Sequence, residues 1–182
     1  MNGLFLVDPV MGHAAAASVA VLFLLAALSK LRDIELFHAV LDNYQLLPSA
    51  LVPVAARVLP TLEFAAGVLL LPLVSRPSGA VLALALLVLV SGAVAVNLRR
   101  GRSRIVCGCG DDALPLSAGL LWRNSVVSMV IVVASQSHNF RPTVWLDLLS
   151  TLMATLFLLG LYQAANLWLS HQSRFIDLRN AP

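Results

Sequence analysis

Cys107 and Cys109 are the only cysteines in this 182-residue chain, and they stand one residue apart in Cys107-Gly108-Cys109-Gly110. Three chemistries suit such a pair. Zinc normally takes four ligands, often from paired cysteines with two or more residues between them. No second Cys or His pair is present, although Asp111 and Asp112 follow closely, so an intrachain metal site is disfavoured. A purely structural disulfide would close a minimal loop and remove little chain entropy. A bridge across one residue also strains the backbone and is easier to reduce. A redox-active pair can use that strain, and Gly108 gives the backbone freedom to bring two sulfurs together. Two inert buried thiols are the bland alternative. The lack of any other cysteine and the flanking glycines favour redox use, in the electropositive, partly exposed setting typical of reactive thiols. A single pair must exchange alternately with two partners: a protein thiol on one side, and a second protein or a membrane quinone on the other.

Further polar groups fall inside apolar stretches, where ionisable side chains are costly and usually paired or functional. Glu63 lies three residues after Pro60, whose missing donor should bend the helix where the carboxylate projects. Glu63 either pairs with a cation such as Lys30 or Arg123, or handles protons or contacts a redox headgroup. Lys30 ends an apolar run and is expected to snorkel to the interface. Arg123 and Asn124 follow the cysteines closely, and a guanidinium near a thiol would raise its thiolate fraction. An interfacial anchor is the competing role for Arg123. Asp147 and the four histidines form no spacing that names a chemistry.

Composition says what must hold these groups. Hydrophobic residues make up 59% of the chain and charged residues 12%, against roughly 45–50% and about 25% in soluble domains. Mean hydropathy is +0.89. These values imply an all-α integral membrane protein and exclude disorder, a nucleic-acid-binding module or a secreted disulfide scaffold. Five apolar runs are long enough to span a bilayer: about 10–28, 51–74, 79–96, 117–135 and 144–169. The first basic residue, Lys30, follows the first run, so the amino end reads as a retained span rather than a cleaved signal peptide. Setting aside the intramembrane Arg57 and Arg123, alternate loops place Lys30, Arg32, Arg99, Arg100, Arg102, Arg104, Arg174 and Arg179 on one side. Only Arg76 and Arg141 face the other. The positive-inside rule therefore puts the amino terminus outside and the carboxyl terminus in the cytoplasm. The run 99–104 reads as that topology signal rather than a nucleic-acid site. Between the first two spans, Ile34, Phe37, Leu41 and Tyr44 share one helical face, predicting a short amphipathic helix at the interface or packed under the bundle.

The ordered set Ser29-Lys30-Leu31-Arg32-Asp33, Asn43-Tyr44, Leu46-Leu47-Pro48, Leu59-Pro60 with Leu62-Glu63, Asn97 with Arg100-Gly101, the cysteine motif, and Ser117 with Arg123-Asn124 resembles the MauE family of methylamine-utilisation membrane proteins. That family belongs with the wider DoxX-like four-helix membrane bundles. The likeness covers about residues 10–135, within a chain read as one domain (1–182), and 144–182 adds a fifth transmembrane helix and tail. One departure is local: an aromatic residue tends to separate the second cysteine from the glycine in the family, whereas Cys109 meets Gly110 directly. The resemblance implies a bacterial inner-membrane protein that helps mature methylamine dehydrogenase, whose periplasmic small subunit is rich in disulfides and carries a tryptophan-derived quinone. It also implies a thioredoxin-like partner of the MauD type.

The expectation is a membrane thiol–disulfide exchange protein with Cys107 and Cys109 as the reacting pair. Lys30, Glu63, Asn97, Arg123 and Asn124 would support it. A membrane quinone is the one cofactor left open, and membrane lipid and an exported client are the remaining partners. The alternative is a non-enzymatic DoxX-like subunit that organises a redox complex, its cysteines incidental. Small-solute transport is a weaker third class, resting on Glu63. A cytoplasmic-side cysteine loop is in tension with oxidative folding, which bacteria carry out beyond the cytoplasm.

Overall fold

Local chemistry sets the first helix start. Asp8 accepts the Val10 N–H at 2.9 Å, and Pro9 in the first turn has no donor to leave unpaired. In the computed structural model, which describes residues 8–102, 105, 107, 108, 116–136 and 144–179 (side chains to 171), helix α1 runs Pro9–Arg32. Asp33 then ends α1, its N–H reaching the Ser29 carbonyl at 3.4 Å, and starts α2 (Ile34–Tyr44) by accepting the Leu36 N–H at 2.9 Å. One residue thus turns the chain from the apolar helix into the amphipathic one. Phe37 and Tyr44 of the expected apolar face are buried.

Prolines open the next two helices, α3 (Val52–Leu70) and α4 (Arg76–Arg99). Helix α3 runs unbroken through Pro60. Helix α5 spans Ala118–Ala134 and α6 spans Trp145–Arg179. Among the described residues all regular structure is helical. Helices α1, α3, α4 and α6 are long and apolar enough to cross a membrane, and α5 is a shorter apolar helix of 17 residues. With most large exposed side chains apolar, the chain is a helical membrane protein, since only such a surface suits lipid.

Helix α1 is central. It packs against α3, α5 and α6, while α4 bridges α3 and α5, and α2 lies against α3. Its buried face is made of small residues, including Ala14, Ala16, Ser18, Ala20 and Ala27. In lipid, helices gain contact through such close approach rather than through hydrophobic exclusion. Gly67 of α3 shows how close: an added Cβ would sit 2.8 Å from Leu24 Cγ and 3.1 Å from the Ala20 carbonyl oxygen.

At one end of the bundle Arg76, expected on the outer side with Arg141, is buried. Its guanidinium donates to the Leu70 carbonyl at 3.2 Å and to His13 Nδ1 at 3.1 Å. The opposite end carries the cysteine loop.

Candidate functional site

The cysteine loop rests on α2. Gln45, the residue after that helix, takes a left-handed conformation with φ 48°. Its carbonyl accepts from Arg100 at 3.2 Å, and its side-chain oxygen accepts from Arg102 at 2.5 Å. Two arginines of the expected topology run therefore also bind the end of α4 to the end of α2. Farther on, the Leu116 N–H donates to the Ile105 carbonyl at 3.0 Å, closing the base of the loop. Gly108 adopts φ +68°, where a side chain would be strained, and its missing Cβ would lie 2.7 Å from Val40 Cγ1. The glycine lets the backbone at position 108 approach Val40 of α2.

Cys107 is 6% exposed and disulfide-bonded, packed with Val94, Leu116, Leu120 and Leu169. It was expected to be partly exposed. Instead it is buried, and it lines a cavity between the helices. Its carbonyl accepts a hydrogen bond from the buried Tyr44 hydroxyl at 2.9 Å. Burial pushes the Tyr44 hydroxyl up to about 12, because the phenolate would lose its water. The group stays a proton donor at physiological pH. Cys109 lies outside the described residues, as do Asp111 and Asp112.

Lys30 and Glu63 come together. The ammonium lies 2.5 and 2.6 Å from the two carboxylate oxygens, with both side chains buried. Lys30 therefore does not reach to the interface; it also sits over the Phe37 ring, 5.2 Å from its centroid. Of the two cations considered for Glu63, Lys30 is the partner. This bridge ties the end of α1 to the middle of α3.

Arg123 is held by a different set. Its Nη1 donates to Asn166 Oδ1 at 2.8 Å and its Nη2 to Asn124 Oδ1 at 3.2 Å, and the guanidinium lies 5.2 Å from the Tyr162 ring centroid. Asn124 in turn donates to Ser91 Oγ at 3.0 Å, fastening α5 to α4. Asn97, fully buried, donates to the Ala93 carbonyl at 3.1 Å. Asn166 and Tyr162 were not among the expected site residues because α6 looked like an addition to the core. The one available signal was an asparagine inside an apolar span.

These residues share one cavity of about 600 Å³, whose wall includes Lys30, Glu63, Arg123, Asn124, Tyr44 and Cys107. Of the expected site residues, Asn97 alone among those described is not on that wall; it braces α4 nearby. The arrangement offers a disulfide, several hydrogen-bond donors and a largely apolar volume in contact with one another. That combination suits electron exchange with a ligand or partner shielded from water.

Comparison with known proteins adds the lineage. The sequence model of the family described as "Methylamine utilisation protein MauE" matches residues 8–136, from the first residue before α1 to just beyond α5. The chain is similar to the methylamine utilization protein MauE of Paracoccus denitrificans, 41% identical over 126 residues and 68% of each chain. It is also similar to that of Paracoccus versutus, 37% identical over 163 residues and 88% of each chain. The counterpart from Methylophilus methylotrophus is 43% identical over 102 residues, 56% of this chain and 54% of its own. No solved structure matches. With the family model spanning α1 to α5, the chain belongs to the MauE family.

Proposed function

We propose that this protein is a membrane thiol–disulfide exchange protein in which Cys107 and Cys109 form the reacting pair. The observation that carries the reading is the disulfide at Cys107, set in the wall of a cavity that also holds Lys30, Glu63 and Arg123. A buried disulfide with no route to a reactant would be inert; this one borders an open volume with cationic groups in its wall. Tyr44 and Gly108 hold the loop in place, so they are positioning residues.

The relatives' names place them in methylamine utilisation, and we carry that role to this chain. It would support maturation of an exported, disulfide-containing protein, by resemblance the methylamine dehydrogenase small subunit. A thioredoxin-like partner of the MauD type would be its exchange partner. Helices α1, α3, α4 and α5 are read as a DoxX-like four-helix core, with α6 the fifth span. The amino terminus then lies outside and the carboxyl terminus in the cytoplasm of the bacterial inner membrane.

The test is trapping. Cys107→Ser or Cys109→Ser should leave one sulfur able to hold a mixed disulfide with the thioredoxin-like partner, recovered under non-reducing conditions. If neither variant captures a partner and the double variant matures the client as the parent does, the cysteines are incidental. The alternative of a DoxX-like scaffold for a redox complex would then stand.

A further inference from the structure

The cavity beside Cys107 opens toward the membrane. Leu51 just before α3, Val54 and Val58 of α3, and Leu89 and Val96 of α4 line it and are themselves exposed. On a helical membrane protein such side chains face hydrocarbon, so a ligand enters sideways between α3 and α4. The volume of about 600 Å³ falls within the range of small-molecule sites, which pair apolar walls with a few placed polar groups. A second observation points to what those groups bind. Arg123, which lines the cavity, is 7% exposed; its two terminal nitrogens give one N–H each to Asn166 and Asn124. Each of those nitrogens carries a second N–H, which a ligand acceptor in the cavity can take.

We propose, resting on the redox reading above, that this cavity binds the head of an isoprenoid quinone, which serves as electron acceptor for the dithiol form of the disulfide at Cys107. An acyl chain fits the apolar walls but brings no acceptor to Arg123. A quinone supplies a ring carbonyl together with an apolar tail that fits the opening toward lipid. In the step, two S–H bonds break and one S–S bond forms. The two electrons released and the two protons pass to the quinone, whose two carbonyl oxygens become the hydroxyls of the quinol. Arg123, with Lys30 held by Glu63 on the same wall, stabilises the negative charge that develops on those oxygens.

The experiment uses the full chain in phospholipid nanodiscs, reduced and desalted. A short-tailed ubiquinone analogue is added, its ring fully substituted so that it does not arylate thiols. The expected result is loss of quinone absorbance, with one quinol formed for each disulfide counted by thiol titration. Gly92 lines the cavity, and an added Cβ there meets nothing within 4 Å. Gly92→Leu should therefore slow quinone reduction roughly tenfold while helical circular dichroism and gel-filtration behaviour stay those of the parent. Reduction by Gly92→Leu at the parent rate overturns the site. Protein extracted from quinone-containing membranes that carries phospholipid and no quinone overturns it as well. If the parent exchanges with a soluble disulfide but reduces no quinone, the quinone proposal fails and the redox reading survives. If it does neither, both fail.

Discussion

The Tyr44 hydroxyl donates to the carbonyl of Cys107 at 2.9 Å, joining the last residue of α2 to the disulfide-bonded cysteine 63 residues later. It is a neutral donor in an apolar surround, and it fixes the cysteine through its backbone while leaving the sulfur free to react. Tyr44→Phe keeps the ring and removes the hydrogen bond, at a cost of roughly 0.5–1.5 kcal/mol. The expected outcome is a looser loop: reduction of the Cys107 disulfide by dithiothreitol several-fold faster, with unchanged helical content. An unchanged rate would show that the bond does not restrain the loop.

The same hydroxyl makes a pH prediction. Its ionisation is raised to about 12 by burial, so the folded protein favours the protonated form. Between the ordinary tyrosine value of about 10 and about 12, the unfolded chain loses this proton and the folded chain keeps it. Stability from this group is full below that window and declines as pH rises through it. A phenolate absorbance titration of the parent minus Tyr44→Phe should show a midpoint near the upper value. A midpoint near 10 would mean the ring is solvated.

For the Lys30–Glu63 bridge, the double substitution should cost less than the single one. Lys30→Met leaves a buried carboxylate without its cation, a change worth about 3–5 kcal/mol in buried pairs. The paired change Lys30→Met with Glu63→Leu removes both charges and should recover most of the lost stability. Thermal unfolding in detergent reads both. A Lys30→Met protein as stable as the parent would mean that the pair does not hold α1 to α3.

Gly108→Ala carries two separable penalties. The left-handed backbone costs a Cβ-bearing residue roughly 1–2 kcal/mol, and the new methyl would meet Val40 Cγ1 at 2.7 Å. Adding Val40→Ala should relieve the contact but not the backbone strain, giving partial recovery of the melting temperature. Full recovery would show that the positive φ is not required.

Helix α6 lies beyond the family match, yet Asn166 and Tyr162 both engage Arg123. Asn166→Leu should lower the melting temperature by the cost of an unpaired buried guanidinium donor, roughly 1–3 kcal/mol. Quinone reduction should change with it. An Asn166→Leu protein with the parent's melting temperature would show that α6 does not secure the site.

Much of the fold was legible because hydropathy runs and capping residues are local. The five apolar stretches and the amphipathic face of α2 are each visible within a dozen or two neighbouring residues. The chemistry-bearing residues were visible too, since a charge in an apolar span stands out alone. Their partners were not. Whether Glu63 takes Lys30 or Arg123 depends on how far α1 reaches alongside α3, and nothing within either segment carries that distance. The tie between His13 and Arg76, and those from Arg100 and Arg102 to Gln45, depend likewise on which helix ends meet. Burial of Cys107 was missed for a related reason: besides Leu116 of its own loop, the residues packed with it are Tyr44 of α2, Val94 of α4, Leu120 of α5 and Leu169 of α6.

The sideways opening between α3 and α4 changes what concentration means for this protein. A reactant arriving there is dissolved in a two-dimensional solvent, so occupancy follows its mole fraction among lipids rather than its amount per volume of water. Diluting the membrane with extra lipid at fixed total reactant should lower the rate, whereas diluting the surrounding buffer should leave it unchanged. Tail length then matters first through partitioning, and only afterwards through contact with Leu51, Val54 or Leu89.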